Sequence, residues 1–255
     1  MWKFFNQIAQ LFKPKPITQR ATSLVPRLPR GGRRLVIPDI HGCSQTFRAL
    51  IEKIDLRAQD QLFLLGDYVN KGPDSAGVLD YIFQLQKKKL LVFPLVGNHE
   101  IMLLEANRSK YILKSFVQKY LAYNVIDRHT ERVKEQYVRF IELLPYYFIL
   151  EDYILVHAGF NFAAFDPLQD FEAMLYIRNF HPDLHFLQGR QIVHGHDPKP
   201  LSLIQKHIAG RLPTIPLDNG CVYHGQKEQL GHLLCLDLQT QELILQENLD
   251  TVLKA

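Results

Sequence analysis

Five short segments place oxygen and imidazole ligands directly after an apolar run. They are Pro38-Asp39-Ile40-His41-Gly42, Gly66-Asp67-Tyr68-Val69-Asn70-Lys71-Gly72, Gly97-Asn98-His99-Glu100, His157-Ala158-Gly159 and His194-Gly195-His196-Asp197. Carboxylate, amide and neutral imidazole together suit Mn²⁺, Fe²⁺ or Zn²⁺, whereas an all-oxygen set would favour Mg²⁺ or Ca²⁺. Asp67 has two oxygens with which to bridge two ions, and paired ions in two-metal hydrolases sit about 3.5–4 Å apart. A nucleophilic Ser or Cys is then unnecessary, because water activated between cations does the work. Cys43, beside the first segment, is read as packing rather than as a nucleophile, with a thiolate ligand as the alternative.

These segments need elements that bring them to one place. Leu35–Ile37, Leu62–Leu65, Leu91–Val96, Tyr153–Val156 and Gln191–Val193 are short, apolar and rich in branched residues, which predicts buried strands. Further strands are expected near Leu201–Ile204 and Leu233–Leu236, and helices over Ser44–Ile54, Ser75–Lys87 and the long block from Ile101 to about Leu144. Alternating strand and helix, followed by a strand-rich third, predicts an α/β (α+β) fold of two packed mixed sheets flanked by helices. Ligands in open α/β sheets gather outside the carboxyl ends of the strands, which is where the five polar tips fall.

The ordered set of motifs resembles that of the calcineurin-like metallophosphoesterases, specifically the phosphoprotein phosphatase branch and its bacterial members. The resemblance covers most of residues 33 to 240, including Leu175-Tyr176-Ile177-Arg178 and Leu217-Asp218-Asn219-Gly220. It implies a four-layer sandwich in which Asp39 and His41 hold a first metal, Asp67 bridges, and Asn98, His157 and His196 hold a second. Spacing leaves His194 and His196 equivalent, since both point to one face of a continuing strand; the family pattern favours His196. The resemblance further implies in-line attack by a metal-bridging hydroxide, His99 as general acid, and Arg178 and Lys71 as phosphate-binding cations. Two divalent ions, with Mn²⁺ first, are the expected cofactors.

The chain departs from the family's Asp-Arg at Asn70-Lys71. Lysine keeps the charge but loses bidentate geometry. A neutral amide orients His99 but supports its imidazolium less than a carboxylate would, so a lowered His99 pKa is expected. The first reading of function is a serine/threonine protein phosphatase acting on phosphomonoesters. The alternatives are a dinucleoside polyphosphate hydrolase and a weakened pseudophosphatase that only binds phosphorylated partners.

Composition bounds the rest. At 255 residues and 47% hydrophobic, one domain with a substantial core is expected. The first 34 residues carry eight Lys or Arg and no acid, leaving 22 basic against 26 acidic groups after them. That predicts a basic tail over 1–32 and a catalytic domain over 33–255, with weak membrane-surface contact as one use of residues 1–34. The mildly acidic remainder argues against a nucleic-acid partner. Three cysteines without CxxC spacing, and no signal peptide or membrane-spanning run, point to a cytoplasmic protein. His181 and His185 read as a surface pair, Lys87-Lys88-Lys89 as a solvated helix end, and Tyr111, Phe116, Tyr120 and Tyr123 as core or pocket wall.

Overall fold

The computed structural model describes residue 22 and residues 24–250. In chain order the strands are β1 (Arg34–Ile37), β2 (Gln61–Leu64), β3 (Leu91–Pro94), β4 (Ile126–Asp127), β5 (Arg132–Val133), β6 (Tyr147–Ile149), β7 (Tyr153–Val156), β8 (Gln191–His194), β9 (Thr214–Pro216), β10 (His232–Asp237) and β11 (Leu243–Glu247). The helices are α1 (Ser44–Lys53), α2 (Ser75–Lys87), α3 (Asn98–Ala106), α4 (Lys110–Tyr120), α5 (Glu135–Leu143), α6 (Phe171–Tyr176), α7 (Leu184–Leu187) and α8 (Leu201–Ala209).

One sheet has the order β11-β10-β1-β2-β3 and the other β6-β7-β8-β9, with β4 and β5 forming a separate hairpin. β1, β2 and β3 run parallel, as do β7, β8 and β9, so both sheets present carboxyl tips to a common edge. All four residues of β2 are buried, the mark of a strand covered on both faces. Val36, Phe63 and Leu65 from the first sheet meet Phe148, Leu155 and Val193 from the second in a core between the sheets. Phe63 stacks on Phe93 at 5.2 Å and meets Phe148 edge-on at 5.6 Å. Their neighbours Leu35, Ile37, Leu62 and Leu64 point the other way, into the cluster that includes Phe47 and Leu79 on α1 and α2. This alternation, with period two, makes the expected two-sheet sandwich.

Several expectations change. Leu201–Ile204 belongs to helix α8: Pro200 cannot continue a strand ladder but tolerates a helix start, and Ile204 and Ile208 are buried at helical spacing. The block from Ile101 to Leu144 is divided into α3, α4, the β4–β5 hairpin and α5, with Leu121 in a left-handed conformation closing α4. Along α4, Phe116 is buried, but Tyr111 is 88% exposed, and Tyr123 beyond it is 55% exposed, so neither is core. Strands β6, β9 and β11 had no counterpart in the sequence reading. Lys87, Lys88, Lys89, His181 and His185 are exposed.

The basic segment falls outside the described residues up to position 21 and at 23. Contact with the domain begins before Arg33, since Pro26 O accepts from Gln61 Nε2 at 2.7 Å. Among the described residues no helix is long and apolar enough to cross a membrane.

Candidate metal centre

The tips of β1, β2, β3, β7 and β8 converge. Ile40 N and His41 N both donate to Asp67 O, at 3.1 and 2.8 Å, clipping the β1 loop onto the β2 loop. Asp67 Oδ1 accepts from His99 N at 2.9 Å, which fixes the start of α3 against the same carboxylate. Gly97 is required there, because a Cβ would collide with Asp67 Oδ1 and Asp67 N. The second sheet is tied in by His157 Nδ1, 2.9 Å from Leu65 O, and by His196 N, which donates to Asp39 Oδ1 at 3.0 Å.

Five of the assembled residues adopt left-handed backbone conformations without being glycine: His41 (φ 48), Asp67 (φ 53), Asn70 (φ 72), Lys71 (φ 67) and His196 (φ 69). Such conformations are costly for most side chains and concentrate at functional sites.

The side chains form two ligand groups that share Asp67, namely His41, Asp67 and His99, and Asp67, His157 and His196. Asp67 Oδ2 lies 3.4 Å from His41 Nε2, while Oδ1 lies 3.6 Å from His157 Nε2. The two oxygens therefore face the two groups, as a bridge requires. Asp39 adds Oδ2 at 3.8 Å from His41 Nε2. Asn98 Oδ1 lies 3.0 Å from His157 Nε2 and 3.1 Å from His196 Nδ1.

The donor chemistry fits cations. His157 Nδ1 faces a carbonyl and so carries the proton, leaving a lone pair on Nε2 that points at another acceptor, Asn98 Oδ1. No hydrogen lies between them, and a metal ion satisfies both. Similarly, His41 Nδ1 faces Val69 O at 3.1 Å, so Nε2 offers its lone pair; the Lys71 ammonium, 2.7 Å away, already stands there as a cation.

Burial holds these rings neutral. It pushes His41 down to about 3, helped by Lys71, and His157 and His196 likewise to about 3. His99 is lowered well below the usual range, first by burial and then by the neighbouring His41 and Lys71. Asp39 is raised by burial, then by the neighbouring charge of Asp218.

Asn70 Nδ2 lies 2.9 Å from His99 Nδ1, and Asn70 Oδ1 is buried without a hydrogen-bond partner. Lys71 points into the centre, whereas Arg178 lies at the rim with its side chain 55% exposed and donates to Asp197 Oδ1 at 2.8 Å. His194 stands apart from both ligand groups, its ring 5.4 Å from that of Phe180. Cys43 is fully buried with its sulfur 3.7 Å from His41 O, which is packing.

Two residues that the sequence reading gave no role prove central. Glu100, fully buried, accepts from the backbone N–H groups of Asp67, Tyr68, Val69 and Gly97 at 2.8 to 3.2 Å, holding the strained turn that aims Asp67. Burial pushes its carboxyl up to about 8, and those N–H donors pull against that shift. Asp218 is buried beside the centre and raised to about 6 by burial. Both sit in motifs visible in the sequence, but only the folded backbone shows what they hold.

The calcineurin-like phosphoesterase pattern matches residues 32–249. The chain belongs to that family. Among curated relatives, the symmetrical bis(5'-nucleosyl)-tetraphosphatase of Buchnera aphidicola is 42% identical over 69 residues, 27% of this chain and 24% of that protein. Such high-identity matches span about a quarter of the relatives' length. The asymmetrical bis(5'-nucleosyl)-tetraphosphatase of Anoxybacillus flavithermus is 26% identical over 226 residues, 77% of this chain and 89% of the relative. A solved structure provisionally assigned as a diadenosine tetraphosphatase superposes with TM-score 0.63 at 22% identity, covering 88% of this chain and 97% of that one. At that identity the likeness speaks for the fold, and the family's sandwich is what the chain adopts.

Proposed function

We propose that the chain is a metal-dependent phosphoester hydrolase whose substrates are dinucleoside polyphosphates. In this reading Asp39, His41 and Asp67 hold one ion and Asp67, Asn98, His157 and His196 the other. Two divalent ions there supply Lewis-acid polarisation of the phosphoryl oxygens and an activated water at neutral pH. Lys71 and Arg178 bind the non-bridging oxygens. Asp197 holds one guanidinium nitrogen of Arg178 and leaves the remaining N–H groups for phosphate.

The single observation that carries the substrate class is Asn70 behind His99. With Asn70 Nδ2 donating to Nδ1, neutral His99 keeps its proton on Nε2, the nitrogen 4.0 Å from Asp67 Oδ2. Turning the amide exchanges Nδ2 with the unpartnered Oδ1, which then accepts from Nδ1–H when the ring takes a second proton. Neither arrangement stabilises an imidazolium as a carboxylate would, so little of the protonated acid is present at neutral pH. A serine alkoxide, as basic as the conjugate base of water (pKa about 16), demands strong protonation. A phosphate leaving group, with a second pKa of about 6, demands little. A scarcely protonated general acid suits cleavage of a phosphoanhydride, and the tetraphosphatase names of the relatives support the same reading over a phosphoprotein substrate.

The test is Mn²⁺-dependent turnover of a dinucleoside tetraphosphate beside phosphoserine, phosphothreonine and phosphotyrosine peptides, with Asp67→Asn as control. Preferential dinucleotide cleavage is expected, and the products separate symmetrical from asymmetrical attack. Higher kcat/KM on peptides restores the protein phosphatase reading. Absence of turnover on every substrate points to a phosphate-binding pseudophosphatase.

A further inference from the structure

The Leu217-Asp218-Asn219-Gly220 motif after β9 has a member, Asn219, that the metal chemistry does not use. Asn219 is fully buried; its Nδ2 donates to Lys199 O and Gln229 O, both at 2.9 Å, and its Oδ1 accepts from His232 N at 3.1 Å. One amide thus fastens both ends of a loop whose residues 224–229 are exposed. Gly220 (φ 63) begins the loop, and a Cβ there would lie 2.9 Å from Tyr223 Cδ2 and 3.1 Å from Pro198 Cβ. The Tyr223 ring therefore rests directly on the Gly220 backbone beside Pro198, and its position is set.

Two ammonium groups converge on that ring. Lys71 Nζ stands 5.6 Å from its centroid and Lys227 Nζ 4.2 Å. Lys71 is the group beside His41 Nε2, so the ring borders the metal centre, whereas Lys227 is farther out on the exposed part of the loop. The π face attracts each cation, but the like charges repel each other. Lys71 also feels the buried carboxylates Asp39 and Asp218, whereas among the described residues Lys227 has no carboxylate in salt-bridge contact. An anion with charges in succession gives Lys227 the partner it lacks.

We propose that Tyr223 and Lys227 form a second-phosphate subsite, which selects substrates carrying a further phosphate beyond the one attacked. The inference rests on the hydrolase reading in that the attacked phosphoryl group lies beside Lys71. Lys227, held on the Tyr223 ring at 4.2 Å, then meets the next phosphate of the chain, while a metal at His41 Nε2 displaces Lys71 toward the attacked phosphate. A phosphomonoester leaves Lys227 without a partner.

The experiment measures calorimetric binding of a tripolyphosphate made unhydrolysable by CH₂ groups in place of its bridging oxygens, and of orthophosphate, each premixed with equimolar Mn²⁺, to the Mn²⁺-loaded full chain. K227A and Y223L are compared with the wild type and with K88A, which removes an exposed lysine on a helix end elsewhere. Wild type and K88A are expected to prefer tripolyphosphate, and K227A to lose roughly tenfold of that preference, the scale of one charge-assisted contact. Y223L is expected to lose a similar part. K227A, on an exposed loop, decides the outcome if Y223L fails to fold. The proposal is overturned if K227A keeps the wild-type preference, if it weakens both anions equally, or if the wild type has no preference. Binding is read without turnover, so a chain that cleaves only phosphopeptides would refute the dinucleotide substrate while K227A still judged the subsite.

Discussion

The two sheets contribute to the centre in different ways. The five-stranded sheet supplies Asp39, His41, Asp67 and Asn98 from loops already joined by backbone hydrogen bonds within that sheet. The four-stranded sheet supplies His157 and His196, which reach the others across the boundary, at Leu65 O, Asp39 Oδ1 and Asn98 Oδ1. One ligand set is thus preassembled, and the other exists only when the sheets are docked. The second set therefore depends on the core between the sheets as well as on its own side chains.

The largest expected effect comes from removing what both halves share. Asp67→Asn should lower kcat by about 10³-fold or more, above the loss of one electrostatic donor, and weaken both ions. Retention of two tightly bound ions would refute the bridge. His41→Ala and His196→Ala should each take metal content from two ions per chain toward one, with a loss of about 10²-fold in turnover. Elemental analysis checks this, and a loss of both ions from either variant would show that the halves are not separable.

Phe148→Ala acts on the docking itself. Truncating this ring between Phe63 and Phe93 should cost about 3–5 kcal/mol by denaturant melt. It should also weaken metal binding at the His157 and His196 set more than at the His41 set; uniform weakening would break the comparison. Acid should separate the halves in the other order. Metal binds deprotonated ligands, and Asp39 is raised, so as pH falls the first ion must displace a proton and loses up to about tenfold affinity per unit. His157 and His196, at about 3, hold no competing proton above roughly pH 4. Mn²⁺ titrations from pH 8 to 5 should therefore show the first site failing before the second.

The smallest effect expected is at Asn70→Asp. It should raise kcat on a phosphoserine peptide several-fold relative to a dinucleotide, because only the alkoxide needs His99 protonated beforehand. An equal change on both substrates would remove the leaving-group argument.

The sequence makes the site more legible than the fold around it. A polar tip after an apolar strand is a local pattern, and the residues proposed as ligands at all five such tips meet in one place. The four-residue apolar run at Leu201–Ile204 carries no such local cue, and whether it becomes strand or helix depends on what it packs against. Glu100 escaped notice because its partners are N–H groups made convergent by the turn at Asp67. Arg178 was legible as a cation, while its tether to Asp197 depends on two loops meeting across 19 residues.

The five left-handed residues of the centre have a consequence for the history of such a chain. Glycine would occupy those backbone positions at little steric cost, whereas a side chain there costs of order 1 kcal/mol, less for asparagine. Selection for durability alone would favour glycine at His41, Asp67, Lys71 and His196, and each replacement would discard a group proposed to bind metal or phosphate. A duplicate copy relieved of its task could become sturdier by becoming inert, and these positions are where that drift would first be read.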